Sequence, residues 1–182
     1  MDKAGLLEEL NQTLPKKKVE KLAALGANQH YEVADLLELS FYPRSEIAFR
    51  AAWVLEYILE KYPERFLPLL NDFLKLYPEQ KNPSCQRHYS KMLAHLLKTG
   101  RLNQADDRID FDLLVESTFG WLIDEQTPVA VKVHCLEVLF VLKDKSPWIL
   151  EELKSQIEFL MRHGSAGIQS RGRAILKKIA SK

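Results

Sequence analysis

This 182-residue chain contains only two cysteines, Cys85 and Cys135, and no Cys-x-x-Cys pair. That leaves no disulfide framework and no structural zinc knuckle. Its five histidines are scattered, with no His-x-x-x-His pair, so no metal site and no cofactor is expected. Charge of one sign is also missing: 26 basic residues face 25 acidic ones, a formal net charge of +1. No global field draws such a chain to nucleic acid or to a membrane surface. There is no apolar run of about 18 residues, hence no membrane span. The opening Met1-Asp2-Lys3 leads to Glu8 and Glu9, which does not read as a signal peptide. No serine occupies a Gly-x-Ser-x-Gly elbow, and no Walker or dinucleotide glycine pattern occurs. Two buried, reduced thiols and a cytoplasmic location are expected.

What the sequence does have is helical punctuation. Hydrophobic residues make up 46% of the chain and charged residues 28%, ordinary for a packed domain. Apolar residues recur at three and four positions, the helical period, and glycines and prolines fall between the periodic segments. Examples are Ile47, Ala51, Val54, Leu55, Ile58 and Leu59, and later Val129, Val133, Leu136, Leu139 and Phe140. No stretch alternates as a hairpin strand would. Two further helices are expected near Lys3 to Asn11 and Pro15 to Leu25, the second with Gly26 as a C-terminal cap.

The segments repeat. Arg50, His88, Lys132 and Arg171 are spaced by 38, 44 and 39 residues, each just after a short polar or proline-containing turn. Four positions after each lie Val54, Met92, Leu136 and Ile175, and eight positions after lie Ile58, Leu96, Phe140 and Ile179. One apolar stripe therefore recurs on the second helix of each unit. A period near 40 residues with two helices per unit is that of HEAT and armadillo solenoids. Val131-Lys132-Val133-His134-Cys135-Leu136 resembles the HEAT second-helix pattern of Val-Arg, two variable positions and a small residue. Phe49-Arg50-Ala51-Ala52 and Ser170-Arg171-Gly172-Arg173-Ala174 resemble it more loosely, and Gln86-Arg87-His88-Tyr89 departs from it most. The resemblance covers about residues 28 to 182.

It implies an all-α, right-handed α-solenoid of about four antiparallel helical hairpins. A helical N-terminal cap over 1-27 would precede repeats at about 28-65, 66-104, 105-146 and 147-182. One hairpin cannot bury both its apolar stripes alone, so neighbours must stack, with small residues such as Ala51, Ala52, Cys135 and Ala174 allowing close approach. Trp53 is too large for that role, and either a wider local gap or a partly exposed ring is expected there.

Such a scaffold points to noncovalent binding of a macromolecule, a protein partner above all, rather than catalysis. In HEAT-like folds the second helices line the concave face. The residues expected to make contact are Arg50, Trp53, Tyr57, Tyr89, His134, Arg171 and Arg173, with the aromatic rings as apolar anchors and the arginines pairing with acids. The alternative is taken from HEAT-like DNA glycosylases for alkylated bases, which set concave-face tryptophans beside an acidic residue. Trp53 with Glu56 or Glu60 would be the nearest imitation. Charge is also polarised along the chain. Asp106 through Glu125 is strongly acidic, whereas after Glu158 come only basic charges: Arg162, Arg171, Arg173, Lys177, Lys178 and Lys182. Lys16, Lys17, Lys18 and Lys21 form a smaller basic cluster. Nucleic acid is the second partner class that these clusters admit.

Overall fold

The computed structural model describes residues 1–105 and 109–181. All regular structure among them is helical: α1 (Lys3–Asn11), α2 (Lys16–Ala27), α3 (Val33–Leu39), α4 (Ser45–Lys61), α5 (Pro63–Phe66), α6 (Leu70–Leu76), α7 (Pro83–Lys98), α8 (Phe111–Ile123), α9 (Val129–Leu142), α10 (Pro147–His163) and α11 (Ala166–Ala180). The fold is all-α, as the periodicity requires. Local chemistry sets the helix starts. The Asp2 side chain accepts from the Gly5 amide at 2.9 Å, and Asp110 accepts from the Leu113 amide at 2.9 Å. Pro63 and Pro147 open α5 and α10, where a missing N–H costs nothing. Pro68 lies within a 3-10 turn, Leu67–Leu69, between α5 and α6. A proline there denies a continuous helix its ladder bond, so the first helix of this hairpin is broken in two.

The chain divides into two compact units, one built chiefly on Met1–Met92 and one on Leu93–Gln104 with the segment from Asp110 onward. In the first, α4 is the central helix, packed against α1, α2 and α3. Its inward face, Ile47, Ala51, Val54, Leu55, Ile58 and Leu59, is almost wholly buried. In the second, α9 packs against α8, α10 and α11, burying Val131, Cys135, Leu136, Val138 and Leu139. Both cysteines are free and buried, and burial pushes the Cys85 thiol up to about 12.

The recurring stripe holds at its first position: Val54, Met92, Leu136 and Ile175 are all buried. At the second, Ile58 and Leu96 are buried, whereas Phe140 and Ile179 are half-exposed. Among the small residues, Ala51, Ala52 and Cys135 are inside but Ala174 is exposed. Gly172 makes the close approach in its place. A Cβ there would fall 2.7 Å from the Met161 sulfur and 3.0 Å from Ile157 Cγ2.

Gly26 is not the cap of α2. That helix runs on to Ala27, and Gln29 takes the left-handed conformation at φ 60°. Gly26 instead makes room for Tyr31, whose ring and hydroxyl lie 2.8 Å from where a Cβ would be. Tyr31 cannot retreat freely, because its hydroxyl donates to the Leu22 carbonyl at 2.8 Å. Gly26→Ala should therefore destabilise the protein by about 1–2 kcal/mol in chemical denaturation, overpacking outweighing the gain in helix propensity. An unchanged or raised stability would show that the contact is slack.

Candidate functional site

The second helices carry the residues singled out by the repeat. On α4, Arg50, Trp53 and Tyr57 follow one another at three and four positions and so share one face. All three are half-buried. Arg50 Nη1 donates to the Leu10 carbonyl at 2.9 Å, satisfying an orphan acceptor in the last turn of α1. Trp53 packs on Phe49 with ring centroids 5.9 Å apart, and Phe49 lies 5.2 Å from the His88 ring. Tyr57 donates to Glu20; some burial, then the Glu20 charge and that hydrogen bond, hold its phenol above the ordinary value of 10.

Beside this face is a buried ionic cluster. His88 Nδ1 is 2.5 Å from Glu56 Oε2, and Lys91 reaches both Glu56 Oε1 and, at 2.8 Å, Glu60. Burial raises the Glu56 carboxyl, but hydrogen bonds and charge from His88 and Lys91 outweigh it and hold it below 4.5. Both Glu56 oxygens are thus engaged, and Glu60 shares Lys91. Neither acid is set beside Trp53 as an uncommitted general base, which counts against the imitation of a glycosylase site.

The second unit repeats the device. Glu137 on α9 accepts from Lys98 at the end of α7 and from Arg171 Nη1 on α11 at 2.7 Å. Burial raises its carboxyl, but Lys98, Arg171 and the nearby His134 hold it below the ordinary value. His134 is half-exposed one turn before Glu137. The anchors His88 and Arg171 therefore each grip an acid on another second helix, 32 and 34 residues earlier in the chain. In the sequence Glu56 is singled out only as a neighbour of Trp53 and Glu137 not at all, although they lie six and five positions after Arg50 and Lys132.

Two expected contact residues lie apart from these groups. Tyr89 is fully enclosed, packed on Phe73 at 5.0 Å, with its hydroxyl 2.6 Å from Ser40 Oγ. It belongs to the core and presents no surface to a partner. Arg173 is exposed but two residues past Arg171, so it points to a different side of α11, where it reaches Gln169 Oε1 at 3.3 Å. Of the charge clusters, Asp106, Asp107, Arg108 and Lys182 lie outside the described residues. In the N-terminal cluster, Lys18 pairs with Glu9 at 2.9 Å and Lys16 with Glu20 at 3.9 Å.

Compared with known families, residues 6–179 match the family model described as the HEAT repeat domain. The chain belongs to the HEAT repeat family. It is thus an α-solenoid of helical hairpins, a repeat module commonly used for protein interaction. The HEAT match reaches back to residue 6, whereas the resemblance legible in the sequence begins near residue 28. Neither the comparison with curated proteins nor that with solved structures found a match. Among the described residues of this HEAT chain, no helix is long and apolar enough to cross a membrane.

Proposed function

We propose that this chain is a non-catalytic HEAT module that holds a protein partner on its second helices, with Trp53 and Tyr57 of α4 as anchors. One observation carries this reading. Two large aromatic side chains stand half-exposed on a helix where Arg50, Glu56 and Glu60 are already committed to the Leu10 carbonyl, His88 and Lys91, and the Tyr57 hydroxyl to Glu20. Aromatic anchors ringed by satisfied polar groups are the arrangement that concentrates binding energy in protein interfaces. Phe49 backs the Trp53 ring, so little side-chain freedom is lost when a partner covers it. Two buried thiols suit a reducing compartment, and we assign the module to the cytoplasm.

The test compares affinity capture from native lysate by the wild type and by Trp53→Ala. Truncating a central anchor costs about 2 kcal/mol or more, roughly 30-fold in affinity. Loss of one reproducible partner by the variant, with its helical circular dichroism retained at the capture temperature, is the expected result. Equal capture by both proteins would reject α4 as the contact face.

A further inference from the structure

In the second unit, α9 and α11 together contain one acid, Glu137, against Lys132, Arg171, Arg173, Lys177 and Lys178. Glu137 is held by two cations at once, Lys98 and Arg171, so this cluster keeps a net positive charge even with His134 neutral. Two turns beyond Arg171 on the same side of α11 comes Lys178, about 10 Å along the helix. Its ammonium lies 5.8 Å from the centroid of Phe140, and Lys143 lies 4.8 Å from the same ring. Lys143 pairs with Asp144 at 2.6 Å. Lys178 is exposed and has no ion pair among the described residues. Phe140 is half-exposed where the recurring stripe leads one to expect a core residue.

We propose that this face docks an acidic polypeptide segment, with carboxylates over Arg171 and Lys178 and an apolar side chain against Phe140. The spacing favours a peptide over nucleic acid. Duplex DNA carries a charge about every 1.7 Å and would press phosphates onto Glu137. A polypeptide helix can set two carboxylates about 10 Å apart on one face, seven residues apart in sequence, and straddle Glu137. The inference shares with the proposed function only the premise that the occupant is a polypeptide. Trp53 and Tyr57 take no part in it.

The experiment measures fluorescence anisotropy of a labelled oligoglutamate and of an oligothymidylate of equal charge against the full chain at low ionic strength. The wild type should bind the oligoglutamate in preference to the oligothymidylate. Lys178→Glu, a change at an exposed side chain, should weaken binding about tenfold, and Arg171→Gln/Lys178→Glu further. Lys154→Glu, an exposed control on α10 with the same change in net charge, should bind within about twofold of wild type. Trp53→Ala should also be unaffected, which separates this site from the one on α4. Absence of oligoglutamate binding, equal losses in Lys178→Glu and Lys154→Glu, or tighter binding of the oligothymidylate would each overturn the proposal.

Discussion

Replacing Tyr89 by alanine should lower the free energy of unfolding by about 4 kcal/mol, the loss typical of emptying a large aromatic site. The ring is fully buried. It packs against Phe73 at 5.0 Å, Phe41 at 6.1 Å and Tyr77 at 6.4 Å, joining α6 to α7 through side chains. Its hydroxyl meets Ser40 Oγ, whose own proton is directed to the Leu37 carbonyl at 2.6 Å. Tyr89 is therefore the donor to Ser40. Tyr89→Phe removes that donor but leaves Ser40 with its bond to Leu37, so it should cost only about 1 kcal/mol. Urea melts of the two variants separate packing from hydrogen bonding. A Tyr89→Ala loss below about 1.5 kcal/mol would mean that the site collapses around the missing ring.

Glu56→Ala should be nearly as damaging, at about 3 kcal/mol, because it strands His88 and Lys91 beside an emptied site. The half-exposed Lys91 ammonium can turn to water, which keeps the loss toward the lower end for a buried pair. The same carboxylate shapes the acid limb of stability. Its pKa is lower in the folded protein than the ordinary 4.5, so the unfolded chain binds more protons in mild acid. The contribution is complete above about pH 4.5 and disappears as pH falls through the lower folded value. Glu137 acts in the same direction. Asp35 acts in the opposite one, because burial and the charges of Glu38, Glu32 and Asp2 outweigh Lys3 and raise its carboxyl. Melting temperature should therefore fall more steeply below pH 4.5 in the wild type than in Glu56→Gln. Parallel slopes would show that the Glu56 cluster is not ionised as a unit in the folded state.

The repeat and its helices are legible in the sequence because they depend on spacing alone. Arg50, His88, Lys132 and Arg171 recur near the HEAT period, and the stripe four positions later is buried at every occurrence. What the anchors do is not legible. His88 meets Glu56 and Arg171 meets Glu137 only when second helices are brought side by side, and no local rule pairs residues more than 30 positions apart. Tyr89 shows a different failure. It shares a helix class and an aromatic ring with Trp53, which is why the two fall together among the expected contact residues. At 100° per residue, a position one past an anchor lies near those four and eight past it, on the core side. Positions three and seven past the anchor, where Trp53 and Tyr57 fall, lie away from that stripe. Counting from the anchor separates the two rings. Phe140 and Ala174 mark the limit of such counting. Phe140 lies under the Lys143 and Lys178 ammonium groups, and Gly172 makes the close contact expected of Ala174, placements that follow from packing rather than from periodicity.

The most direct test of a partner-binding face on α4 is site-specific photocrosslinking in cells. A benzophenone amino acid replaces Tyr57 in one strain and the exposed Glu8 of α1 in another. If α4 is the contact face, position 57 yields a single adduct of defined mass and position 8 yields none. Adducts from position 8 alone, or the same adducts from both, would contradict a partner seated on Trp53 and Tyr57.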